Sequence, residues 1–65
     1  MSSDERAECV QLVHAFFDGD WKKTHAWFTS PNPLLGGIVP DDMFAMGRGA
    51  KLLTFIRHLL SENEL

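Results

Sequence analysis

The sequence predicts an all-α fold: one small domain over residues 1–65, with about four helices around a single core and a Pro/Gly-rich turn in the middle. Three observations predict it. Apolar residues recur at the helical period near both ends of the chain, no stretch alternates apolar and polar residues as a strand would, and prolines and glycines punctuate the middle.

The first helix is expected over residues 4–18. At ~100° per residue Cys9, Val10, Leu12, Val13, Phe16 and Phe17 fall within an arc of about 160°. Glu8, Gln11, His14 and Asp18 take the other side. Ser2 or Ser3 is suited to cap its start, Ser2 with Glu5 in capping-box spacing, and Gly19 offers a left-handed stop. Asp20 then suits the cap of a shorter helix, WKKTHAWF, in which Trp21 and Phe28 share a face and Trp27 lies off it. Trp27, a large aromatic beside a proline turn, is expected to belong to the core. Pro31 and Pro33 end that helix, because each lacks an N–H and biases the preceding residue towards extended geometry. Gly36 and Gly37 supply a tight turn. Pro40 fits a first helical position, followed by Asp41 and Asp42 where a helix's positive end favours carboxylates, so PDDMFAM reads as a short helix. Gly47 and Gly49 are expected to break it. From Ala50 to about Glu62 the last helix places Leu52, Leu53, Phe55, Ile56, Leu59 and Leu60 on a second arc of about 160°, with Lys51, Thr54, Arg57, His58 and Ser61 facing away.

A chain this short buries only about 60% of the surface its unfolded form exposes, so its stability is thin and a partner or a second copy is a natural part of the stable form. The nine acidic and six basic residues leave a net charge of -3. An independent nucleic-acid binder carries a basic stripe to neutralise phosphates, so direct contact with DNA or RNA is not expected. No apolar run approaches the ~20 residues of a membrane span. The acidic start lacks the regions of a signal peptide, and the single cysteine, Cys9, is unable to form an intramolecular disulfide. A cytoplasmic protein is expected.

The search for chemistry returns little. His14, His25 and His58 are too dispersed for a metal-ligand spacing, and one cysteine does not complete a zinc site. A Cys9–His14 nucleophile pair fails because five residues along a helix turns the side chains ~140° apart. Cys9 is expected as a small buried hydrophobe. His58, Ser61 and Glu62 lie together on one exposed helix end without an oxyanion hole, and the aspartate pairs take capping or first-turn positions. No enzyme, no metal and no cofactor are expected. One charge pattern resists a purely structural account. On the last helix Arg48 and Lys51 sit at the positive end and Glu62 and Glu64 at the negative end, the reverse of what the macrodipole favours.

The stretch WFTSPNPLLGGIVPDDMFAMGRGAKLLTFIRHLL resembles the toxin-binding domain of Xre/MbcA/ParS-type antitoxins. The positions that carry the resemblance are Trp27, Pro31, Asn32, Pro33, Leu35, Gly36, Gly37, Pro40, Met43, Phe44 and Gly47, then the apolar stripe ending at Leu60. With the first helix and Gly19 it covers nearly the whole chain. The resemblance implies a non-enzymatic domain that docks on a toxin, often one that consumes NAD or transfers ADP-ribose, and blocks its active site. The residues before Trp27 are too few for the helix-turn-helix region such antitoxins usually carry, so operator binding is not implied. Val39 stands where the family favours a capping Ser or Thr.

The alternative is a free-standing inhibitor from a phage or mobile element, of the anti-CRISPR type, with an acidic helical surface that occupies a nucleic-acid-binding site on a host defence enzyme. In either case the expected docking residues are Asn32 and Leu34, whose side chains the turn leaves free to act outward, and the acidic Asp41, Asp42, Glu62 and Glu64, whose charges speed encounter with a basic cleft. The fallback surface is the first helix around Glu8, Gln11 and His14.

Overall fold

A computed structural model of the chain describes residues 2–65, and side chains from Asp4 onward. It contains four α-helices, α1 (Ser2–Phe16), α2 (Trp21–Thr29), α3 (Pro40–Ala45) and α4 (Gly49–Ser61), with a single 3₁₀ turn (Pro33–Leu35) between α2 and α3. The capping expected of Ser2 or Ser3 lies outside the described side chains. The helices close a ring in which α1 packs on α4 and on α2, α2 on α3, and α3 on α4.

The core forms where the two arcs meet. Cys9 and Val13 of α1 and Leu52 and Ile56 of α4 have no exposed surface, and Leu59, Phe28 and Met43 join them nearly buried. The buried residues of each helix recur at i+3, i+4 or i+7 spacing, so one stripe per helix points inward. Cys9 is thus the buried hydrophobe its position suggested. Burial, with the nearby Glu8 and Glu5 carboxylates, pushes its thiol from the ordinary 9.0 up to about 11. The sign follows directly: above pH 9 the unfolded chain gives up this proton while the folded chain keeps it, so stability falls as pH rises from 9 to 11. We expect a loss on the order of 2 kcal/mol across that window, read as a falling melting temperature that a Cys9→Ala variant does not share.

The C-terminal ends of α1, α3 and α4 follow one hydrogen-bond pattern, while α2 ends in extended geometry at Ser30, and the helix ends correct two expectations. After α1 the amide of Asp18 donates to Ala15 O (3.1 Å) and that of Gly19 to His14 O (2.9 Å), with Asp18 at φ 55 and Gly19 at φ 79. This is a Schellman motif whose first left-handed residue is Asp18, with Gly19 one step beyond. The same motif closes α3 with Gly47 (φ 72) and α4 with Asn63 (φ 57). Gly49 does not break anything: it is the first residue of α4, buried, and a Cβ there would come within 3.2 Å of Glu5 Oε1 and 3.4 Å of Phe44 Cδ1. It serves the close approach of α1, α3 and α4. Because left-handed geometry costs a non-glycine residue ~1–2 kcal/mol, Asp18→Gly is expected to stabilise the domain by about 1 kcal/mol net. That corresponds to a rise of about 4–8 °C in the thermal midpoint; no rise would mean that the aspartate side chain compensates its own strain.

Side chains assigned to the solvated faces also do structural work. His14 stacks on Trp21 at 3.7 Å between ring centroids and has its Nδ1 3.3 Å from Thr24 Oγ1. Thr24 is buried, and its hydroxyl donates to Asp20 O at 2.9 Å, so it accepts from the imidazole. Trp21, expected on the buried face with Phe28, is 61% exposed. As the first residue of α2 it lies over His14 at the end of α1 rather than inside the ring of helices. Arg57, expected to face away, pairs with Glu8 across α1 and α4. Asp20 caps α2 by accepting from Lys23 N at 3.2 Å, and Pro40 opens α3 after Val39, which makes no side-chain cap.

Candidate docking surface

Residues 30–39 build a turn held together by its own amides. Asn32 is its hub: its carbonyl accepts from Leu35 N and Gly37 N, both at 2.9 Å, and its amide donates to Ile38 O at 3.1 Å, an isolated antiparallel bridge. Its side-chain Oδ1 accepts from Leu34 N at 2.9 Å, the Asx cap of the 3₁₀ turn. Gly36 N donates to Pro33 O (3.2 Å) and Ile38 N to Leu35 O (3.4 Å), so all five amides from 34 to 38 find acceptors within the turn. Gly36 (φ 68) and Gly37 (φ 86) supply the left-handed backbone this requires. A Cβ at either would meet nothing within 4 Å, so glycine is needed there for conformation and not for space.

That geometry separates the two turn residues singled out in the sequence. Asn32 does not act outward: its side chain is half-buried and engaged in the cap. Leu34 does, at 60% exposure, on a backbone that holds it in place. It lines a shallow groove together with Trp27, Pro31, Pro33, Leu59, Glu64 and Leu65. Glu64 arrives there because the Schellman turn at Asn63 folds the chain back, its amide donating to Leu59 O at 2.9 Å. Trp27, expected as core, is only half-buried: one side packs edge-on against Phe28 with centroids 5.0 Å apart, and it lines the groove.

The acidic residues do not form one surface. Asp41 turns towards α1, with its carboxylate 3.3 Å from Arg6, whose guanidinium also lies over the Phe44 ring at 5.0 Å. Asp42 is exposed on a separate depression with Ile38, Val39 and Met46. Glu62 caps α4, its carboxylate 3.7 Å from His58 Nε2. Of the four, Glu64 alone shares the groove with Asn32 and Leu34. On the fallback surface, Glu8 and His14 are engaged with Arg57 and with Trp21 and Thr24.

The Ser61 hydroxyl donates to His58 O at 2.7 Å and not to the imidazole. Among the described residues no three His, Cys, Asp or Glu side chains gather as a metal cluster, and no helix is long and apolar enough to cross a membrane. Sequence reasoning missed Trp27 and Leu59 as groove residues and the exposure of Met46, 48%. The signal for Trp27 was present, since it falls off the helix face that carries Phe28. Comparison with protein-family models, curated proteins and solved structures gave no match to this chain.

Proposed function

We propose that this chain is a non-enzymatic, antitoxin-like inhibitor that docks on a partner enzyme through the turn at residues 30–39 and the adjoining end of α4, and blocks access to that enzyme's active site. The observation that carries the reading is Leu34. A large apolar side chain, 60% exposed, stands on a turn whose five amides from 34 to 38 all find acceptors within it. Such a side chain contributes nothing to its own fold that a polar residue would not, and interfaces are anchored by apolar side chains held rigid before contact.

The residues behind the antitoxin resemblance support the same reading by their positions. Asn32 and Pro33 open the turn, Gly36 and Gly37 are left-handed, Pro40 starts α3, and Gly47 ends it. The partner class is then an enzyme that consumes NAD or transfers ADP-ribose, in the cytoplasm. The chain itself needs no cofactor or metal for this role and touches neither nucleic acid nor membrane. The phage-inhibitor reading draws less support, because a nucleic-acid mimic needs its carboxylates unpaired and together. Here Glu8, Asp41 and Glu62 lie beside Arg57, Arg6 and His58.

The test is purification of the untagged chain from its native cells with whatever it holds. Co-isolation of an NAD-consuming or ADP-ribosylating enzyme is expected. A nucleic-acid-guided defence complex in its place would overturn this reading for the alternative, and recovery of the chain only with its own copies would overturn both.

A further inference from the structure

The groove beside Leu34 has an uneven chemistry that specifies its occupant. Its lining is mostly apolar, with Trp27, Leu59, Leu65 and the two prolines beside the neutral polar Ser30 and Asn32, and Glu64 is the single ionisable side chain that lines it. Two other carboxylates near helix ends have a basic neighbour inside the chain, Asp41 lying 3.3 Å from Arg6 and Glu62 3.7 Å from His58. Among the described residues the Glu64 carboxylate has no ionic partner. It also follows the C-terminus of α4, where the helix's negative end disfavours a second negative charge. An apolar trough with one unanswered carboxylate at its edge, placed against its own helix, is complementary to an apolar side chain followed by a cation.

We infer that this groove receives an extended segment of the partner in which an apolar side chain is followed, within a residue or two, by Arg or Lys. The apolar group lies on Trp27 and Leu59 between the proline wall and Leu34, and the cation meets Glu64. The inference rests on the docking surface proposed above but not on the partner being an enzyme. It defines what any partner must present here. An acidic or uniformly polar segment is rejected, because it sets like charges together or leaves its polar groups unpaired against the prolines.

The experiment uses the isolated full chain, labelled with ¹⁵N, and two capped tripeptides, Leu-Ala-Arg and Leu-Ala-Glu. Chemical-shift titration is expected to move the Trp27 indole N–H and the Leu34 and Glu64 amides with the first peptide. The second should bind more weakly by about fivefold, the scale of one partly exposed ion pair exchanged for a repulsion. In Glu64→Gln, an exposed position whose folding role is carried by its amide, the difference between peptides should shrink below about twofold while the Trp27 shifts persist. Equal affinities for the two peptides in the wild-type chain, or shifts centred on Trp21 or Met46, would overturn the inference. Failure of the peptides beside a native complex that still loses affinity on changing Leu34 would remove this inference alone and leave the docking surface standing.

Discussion

Leu52→Ala is expected to cost about 2–5 kcal/mol, the range for removing a large aliphatic side chain from a packed interior. Leu52 has no exposed surface and lies in α4 where it faces Cys9 and Val13 in the same cluster. A chain of 65 residues has a total stability of roughly 3–10 kcal/mol, so this single truncation removes a large share of it. Thermal unfolding followed by circular dichroism should show a midpoint lowered by at least about 10 °C, or no cooperative transition at all. The neighbouring Leu53→Ala, at a half-buried position, is the control and should lose less. An unchanged midpoint in the Leu52 variant would mean that the four helices are not held by this core.

Leu34→Asp is expected to have the opposite profile. The side chain is 60% exposed and the turn beneath it depends on its amide, on Asn32 and on two glycines, none of which the substitution alters. Melting should therefore shift little. Binding should suffer, because an anchor replaced by a carboxylate places an unpaired charge in a desolvated contact, and central anchors are worth 2 kcal/mol or more, a loss of about 30-fold in affinity. Isothermal titration with the native partner reads the affinity, and the melt reads the fold in the same preparation. A drop in melting temperature as large as that of Leu52→Ala would move Leu34 from the surface into the structure.

The helices were legible in the sequence because periodicity and punctuation are local. The bounds of α2 and α4 fall within about a residue of those read from Asp20, Pro31 and the Leu52–Leu60 stripe, and Pro40 does open α3. What lay outside local grammar was lost. Periodicity sorts residues into an inner and an outer face, but a long side chain on the outer face still reaches a neighbouring helix when the crossing brings one near, as Arg57 reaches Glu8. Gly49 reads as a breaker in one dimension and as a point of helix contact in three. Asp18 takes the left-handed position next to a glycine that composition favours for it, because α1 ends at Phe16, two residues short of the expected Asp18.

The candidate surface divided in the same way. Leu34 was legible as an outward residue because prolines and glycines around it account for the backbone. Asn32 was misread because an Asx cap needs only a hydrogen bond two residues on, which no apolar pattern reveals. The acidic residues looked like one surface when counted, yet Asp41, Asp42 and Glu64 point to three different depressions. Net charge is a sum over the chain, whereas a docking field depends on where unpaired charges stand.

The most direct measurement is the turnover of the purified native partner titrated with the purified chain, wild type and Leu34→Asp side by side. The wild-type chain at saturation is expected to abolish turnover, and the variant, at the same concentration and equally folded, to leave most of it. A partner that keeps full activity while saturated with the wild-type chain would contradict inhibition, and equal inhibition by the two chains would contradict the turn at Leu34 as the place where it docks.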